Sequence, residues 1–339
     1  MFQSERLELV GLRTIKPPWR TARSGLRLPA LLFLCAAGAC AAAMFAPGVA
    51  PAQDKGTLNP EPLPPLAHPD DPKNLAKEAF GRMMAPAAMP PRPIGSYAKG
   101  CLAGGVALPI TGPSWQVMRV SRNRNWGHPS LIAFLERLAS QAPATGWRGL
   151  LLGDMSQPRG GPMLAGHASH QIGLDADIWL TPMPDRELSR QEREEMMATL
   201  VVGESRKEVE PKVWTPAHVA LIKAAAQDPL VARIFINGAI KKALCRDAGS
   251  DRRWLHKVQP WYGHDWHFHV RLQCPPGEKE CHGQPPRPLN EDCQTKDLDG
   301  WIELPKPGAN PDAKPAPPPR PGPRVSELPA ACRQVLKVP

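Results

Sequence analysis

Histidine in this chain is concentrated where it could do chemistry. Ten histidines occur in 339 residues, and five of them fall within positions 167–170 and 264–269, ten residues in which composition alone would place about 0.3. The first window reads Gly166-His167-Ala168-Ser169-His170-Gln171-Ile172-Gly173-Leu174-Asp175-Ala176-Asp177, and the second Gly263-His264-Asp265-Trp266-His267-Phe268-His269-Val270-Arg271. Two neutral imidazoles and a carboxylate are donors for zinc, and three protein donors leave a fourth tetrahedral position for water, as in a catalytic site. Bound there, water becomes acidic near pH ~7 and a carbonyl oxygen can be polarised. A further imidazole alongside, His267, could take the water's proton or stabilise an oxyanion. The competing readings are an incidental H-x-H pair, surface carboxylates at Asp175 and Asp177, and a turn-capping His167. The joint occurrence of H-x-x-H-x6-D and H-x-x-H-x-H in a chain with an export signal favours the metal.

Strands must position these groups. In the second window Trp266, Phe268, Val270 and Leu272 alternate with Asp265, His267, His269 and Arg271, so two imidazoles leave the same face. In the first, Leu174, Ala176, Ile178 and Leu180 oppose Asp175, Asp177 and Trp179, with His170 on the glycine-flanked approach. If the two strands are neighbours, Asp177, His170 and His269 converge. Further strands are expected at Trp115–Ser121, Gly149–Met155 and Val231–Ile236. Helices are expected from Pro129, with Leu131, Ile132, Leu135 and Leu138 on one face, from the Ser189/Glu192 capping box through Leu200, and from Thr215-Pro216, with Val219, Ile222 and Ala226 inward. Together these make an α+β domain over residues 97–304. Arg253, Trp261 and Trp266 are candidates for a groove wall, with core packing the stronger reading of the two tryptophans.

The flanks are of another kind. Six cationic residues precede an apolar run from Leu28 to Phe45 and an Ala50-Pro51-Ala52 exit, the pattern of a signal peptide over 1–52 and so of a periplasmic protein with no membrane span after processing. Its removal lowers the net charge from +10 to about +6, which suits an acidic polymer outside the cytoplasm and makes nucleic acid an unattractive partner. Residues 53–96 read as a proline-rich linker. Residues 305–339 read as a proline-rich tail that Cys332, beyond the prolines, staples back. Cys101, Cys245, Cys274, Cys281, Cys293 and Cys332 remain after processing, an even set that implies disulfides, and fifteen connectivities are open. Spacing alone suggests only Cys274 with Cys281, across a Pro-Pro-Gly turn.

The segments HASHQIGLDADIW and GHDWHFHVRLQCP resemble the penicillin-insensitive murein endopeptidases, within the wider group of zinc peptidases that includes lysostaphin, D-alanyl-D-alanine metallopeptidases and the Hedgehog signalling domain. The likeness extends over most of residues 97–304, through GHPSLIAFLERL, RIFINGAIKKALC and DAGSDRRWL, to the stretch Leu304–Gly308. It implies zinc ligands His170, Asp177 and His269, a catalytic His267, an additional active-site histidine at His264, and His167 as a neighbour that could bind metal itself. It also implies a small antiparallel sheet with flanking helices as the groove floor, and the pairs Cys101–Cys332, Cys245–Cys293 and Cys274–Cys281. Some members hold a second metal with an Asp and a His ahead of the helix that starts here at Pro216. This chain has Ser205 and Glu208 there, so one zinc is expected, and Glu208 is all that remains for a second. The implied reaction is hydrolysis of D-alanyl–meso-diaminopimelyl cross-links in peptidoglycan. The alternatives are a D-alanyl-D-alanine carboxypeptidase and a non-catalytic zinc-stabilised module that binds cell wall or a partner. The pattern leaves a homodimer open.

Overall fold

The two histidine windows become neighbouring strands of one sheet. The structure is a computed structural model that describes residues 55–302 and 321–339; the expected signal at 1–52, the Leu304–Gly308 stretch and most of the proline tail lie outside these residues. In chain order come α1 (Ala76–Phe80), β1 (Arg92–Ser96), β2 (Lys99–Ala103), β3 (Val106–Ala107), β4 (Thr111–Gly112), β5 (Trp115–Val117), β6 (Trp126–Gly127), α2 (Pro129–Gln141) and β7 (Leu150–Leu152). There follow β8 (Asp175–Trp179), α3 (Arg190–Glu195), α4 (Pro216–Gln227), β9 (Val231–Ile236), α5 (Gly238–Asp247), β10 (Val258–Pro260), β11 (His267–Leu272), α6 (Thr295–Ile302) and α7 (Ala331–Lys337).

Among the described residues seven strands form the main sheet, in the order β10-β9-β11-β8-β7-β5-β4. The class is α+β. The strands that flank the site, β9, β11, β8 and β7, pair antiparallel as expected, whereas β10 with β9 and β5 with β7 pair parallel, so the sheet is mixed. One face carries Ala176, Ile178, Val270, Phe268 and Ile234 into a core with α2, α4 and α5, all fully buried. Helices therefore cover that face, and the polar side chains of β8 and β11 are left to the other.

The helices follow local rules. In α2, Pro129 occupies the first turn, and the N-cap His128 accepts a hydrogen bond from the Ser130 N–H at 3.2 Å through Nδ1. Burial lowers the His128 pKa, so the neutral ring that can accept is the form present. The four apolar residues expected inside α2 are buried. In α4 the buried face includes Ile222 and Ala226 together with His218 and Leu221, while Val219 is only partly covered.

Three expectations change. The capping box of α3 forms, but the helix ends at Glu195 instead of Leu200, because tertiary partners take the next backbone groups. Arg119 donates to the Met196 carbonyl at 2.9 Å, Thr199 N–H goes to Thr181 at 2.7 Å and Val201 N–H to Asp265 at 2.9 Å. The strand expected through Ser121 stops at Val117, since Arg119 turns left-handed (φ 57°) into a 3-10 turn. Trp266 lies before the first ladder pair of β11 and packs against Trp179, 5.9 Å between ring centroids, instead of joining Phe268.

Residues 55–96, read as an extended linker, carry α1 and β1, and β1 pairs with β2. Ala76, Phe80 and Ile94 build a second apolar cluster with Cys101, Val325, Leu328, Cys332 and Val335. Three separate segments supply that cluster, so no single stretch shows a hydrophobic period. Cys101 is bonded to Cys332, Cys245 to Cys293 and Cys274 to Cys281, the pairs that the resemblance implied.

Lys241 is buried in α5, and its Nζ donates to the carbonyls of Leu255 and Val258 at 2.9 and 2.8 Å. Burial pushes its pKa down from 10.5 to about 7. Between these values the unfolded chain holds a proton that the folded chain has released, so unfolding free energy rises with pH through that window. Denaturant titrations from pH 7 to pH 10 are expected to show this rise in the parent protein and a flatter profile in Lys241→Met.

Candidate metal centre

Register builds the centre. Across β8 and β11, His269 pairs with Asp177, Arg271 with Asp175 and His267 with Trp179, so partners leave the same face side by side. His269 Nδ1 lies 3.2 Å from Asp177 Oδ1. His170 enters from the loop before β8 in a left-handed conformation (φ 67°), and its backbone N–H donates to Asp175 Oδ2 at 3.0 Å. This conformation is costly for a residue with a Cβ, and here a buried carboxylate holds it. His170 Nε2 then sits 3.1 Å from His269 Nδ1 and 3.5 Å from Asp177 Oδ1.

The other histidines of the two windows surround this trio. His167 Nδ1 is 3.5 Å from Asp177 Oδ2, and its Nε2 is 3.0 Å from Asp154 Oδ2. His167, His170 and Asp177 form a group able to hold a metal ion, and His269 Nδ1 stands beside two of its members, 3.1 Å from His170 Nε2 and 3.2 Å from Asp177 Oδ1. His267 Nε2 is 3.7 Å from Asp177 Oδ1, and its ring packs between His264 and Trp266, with centroids 4.8 and 4.1 Å away. His264 Nδ1 is turned to the Tyr262 carbonyl at 2.9 Å. Ser205 and Glu208 are both exposed, and Glu208 is engaged by Lys242.

Charge in this cluster is unevenly held. Burial opposes ionisation of Asp177, but His267, His170 and His167 outweigh it and keep the carboxyl well below its usual range. Burial drives His267 far down despite Asp177, and drives His264 to about 4, so both rings are neutral near pH 7. His269 is raised: burial works against its charged form, and the carboxylates Asp175 and Asp177 prevail. Asp177 Oδ1, His170 Nδ1 and His267 Nδ1 are buried without a hydrogen bond. A charged oxygen left so amid imidazole nitrogens costs free energy unless something else occupies the space between them.

Sequence reasoning missed the supports. Asp175 receives Arg271 through Nε at 2.8 Å and Nη2 at 3.1 Å, and lies 3.3 Å from His269 Nε2, aiming Nδ1 into the cluster. Asp154 gathers Arg122 at 3.1 Å, Arg124 at 2.8 Å and His167. No motif marks Asp154; it reaches the site because its carbonyl accepts the Asp177 N–H at 3.0 Å. Outward from His269 a series of rings begins at Phe235 and passes to Trp261, which is exposed, not core. Arg253 is exposed, and Trp266 is partly buried.

Comparison with known proteins supplies the class, a hydrolase that acts on peptide bonds. Residues 93–337 match the penicillin-insensitive murein endopeptidases, and the chain belongs to that family. The match runs beyond residue 304 into the tail. A penicillin-insensitive murein endopeptidase of Haemophilus influenzae is 47% identical over 250 residues, 73% of this chain and 83% of that protein. Proteins of the same name from Klebsiella pneumoniae and Yersinia pestis are 43% and 44% identical, over 78% and 70% of this chain and 92% and 86% of theirs.

Replacing Asp175 by Asn removes the charge that faces His269 Nε2 and is expected to weaken metal affinity by about 10–100-fold. A competitive chelator titration measures this; an unchanged affinity would mean that His269 is oriented without Asp175.

Proposed function

We propose that this protein is a zinc-dependent endopeptidase that hydrolyses D-alanyl–meso-diaminopimelyl amides between peptidoglycan stem peptides, acts in the periplasm after removal of its signal, and is insensitive to penicillin. The observation that carries the zinc is the unbonded Asp177 Oδ1 with His269 Nδ1 at 3.2 Å and His170 Nε2 at 3.5 Å, the two nitrogens being 3.1 Å apart. Donors bound at about 2.0–2.1 Å to one tetrahedral ion stand about 3.3 Å from each other, so the three atoms fit the corners around it. His170, Asp177 and His269 would hold the ion, and His167 is close enough to add to them. The names of the relatives supply the substrate: murein endopeptidases cut peptide bonds in peptidoglycan. Among the described residues no helix is long and apolar enough to cross a membrane.

When bound, zinc supplies a Lewis acid for the scissile carbonyl and a position at which water becomes acidic near neutral pH. The chain's own part falls to His267. Burial keeps its imidazole neutral, and its Nε2, 3.7 Å from Asp177 Oδ1, is the nitrogen that faces the cluster and would take up the proton. His264 stacks beside it and is also neutral, so the pair adds no positive charge that would repel the arriving proton. Asp175 and Asp154 fix the rings of His269 and His167, so little reorganisation is needed when the amide arrives. No serine is acylated in this scheme, so a β-lactam has no nucleophile to trap.

Incubation with cross-linked sacculi tests the reading: a chelator is expected to abolish the release of monomeric muropeptides and added zinc to restore it, while benzylpenicillin changes nothing. Full release from metal-stripped protein would overturn it. His267→Ala is expected to keep its zinc and to lose about 10²–10⁴-fold in rate, compared by metal analysis and muropeptide chromatography on the same sample.

A further inference from the structure

Two aromatic rings stand in solvent beside the histidine cluster. Trp261 is 50% and Tyr262 42% exposed, and no other phenylalanine, tyrosine or tryptophan among the described residues is as exposed. Neither is loose. The Trp261 backbone N–H donates to the Ile236 carbonyl at 2.8 Å, and the Tyr262 hydroxyl donates to the Gly300 carbonyl at 3.1 Å. Behind them, Trp301 of α6 stacks on Trp261 with centroids 5.4 Å apart and planes 29° apart, and lies 4.9 Å from Tyr262. Trp301 is itself fixed: α6 approaches α5 so closely that a Cβ on Gly238 would lie 3.1 Å from the Trp301 Cβ, and the Cys245–Cys293 bond ties α5 to the segment before α6. Rings held rigid in this way can bind a ligand without losing side-chain freedom.

The rings are continuous with the centre. From His269 the series runs to Phe235 at 5.3 Å, to Trp261 at 5.7 Å and to Trp301 at 5.4 Å. The peptide between a cross-link and the glycan strand that bears it is about four residues, and an extended chain spans at most about 3.3–3.6 Å per residue. A stem peptide with its scissile amide at the cluster and its other end directed along the rings therefore brings its sugar over the indoles. Stem peptides are built of alanine and acidic residues, which present little flat apolar area. A pyranose presents a flat C–H face, and such hydrogens are attracted to the negative face of an indole.

We propose that Trp261, supported by Tyr262 and Trp301, is a stacking platform for the N-acylated hexosamine that bears the stem peptide. The inference rests on the peptidoglycan reading above and adds the glycan as a recognised part of the substrate. The test compares kcat/KM of the zinc-loaded protein on cross-linked muropeptide dimers that carry their sugars and on the same dimers freed of sugar. The unsubstituted protein is expected to prefer the sugar-bearing dimer through KM. Trp261→Ala is expected to reduce that preference ratio about fivefold, and Trp261→Phe to keep most of it. A ratio near one in the unsubstituted protein, a ratio unmoved by Trp261→Ala, or an equal loss on both dimers would overturn the platform. Cleavage of neither dimer by the unsubstituted, zinc-loaded protein overturns the proposed activity, and the platform with it.

Discussion

The buried pair Asp175–Arg271 is the constraint on which the rest depends. The two residues stand directly opposite in the ladder of β8 and β11 and are joined by two hydrogen bonds, at 2.8 and 3.1 Å. A slip of β8 by one residue would turn Asp175 and Asp177 into the apolar core beneath the sheet and leave Arg271 buried without its partner, at a cost of several kcal/mol per ion. The pair thus selects one alignment of the strands. Asp175 serves two other groups from the same place, the His170 N–H and His269 Nε2. Arg271 is covered by the rings of Tyr97 and Phe235, at 4.1 and 4.9 Å from their centroids. Burial first, and the Asp175 charge second, push the Tyr97 hydroxyl up to about 12, so it stays protonated and donates to the Leu272 carbonyl at 2.7 Å.

This arrangement divides the labour between the faces of the sheet. Below, α2, α4 and α5 supply apolar burial and hence stability. Above, the same strands carry carboxylates and imidazoles that gain nothing from burial by themselves. Those with fixed partners, Asp175 and Asp154, hold the frame. Asp177 Oδ1 makes no hydrogen bond although imidazole nitrogens surround it.

The chemistry of the site was legible in the sequence because it is written in strands, where alternation reveals the face. His267, His269, Asp175 and Asp177 needed only period two and the choice of neighbour to be placed together. His170 was legible as a participant through its spacing, but its left-handed backbone was not, since that conformation depends on Asp175 accepting its N–H. Asp154, Phe235 and Trp301 were invisible for another reason: each arrives from a different segment and acquires meaning only through the fold. Trp261 was misjudged because tryptophan is ordinarily buried, and nothing local says that this one has solvent on one side. The packed stretch around α1 was hidden by its prolines and by a cluster assembled from distant pieces.

The bond between Cys101 and Cys332 spans 231 positions and has a consequence for the order of assembly. Arg159 donates to the carbonyls of Val335, Leu336 and Val338 at 2.7, 3.0 and 2.6 Å, and Ala88 N–H donates to the Pro339 carbonyl at 2.8 Å. The apolar cluster around α1 and β1 is thus completed by residues more than 200 positions further along the chain. Contacts of such sequence separation carry a large loop-closure cost, so this cluster closes only after the elements between its two halves have brought them together.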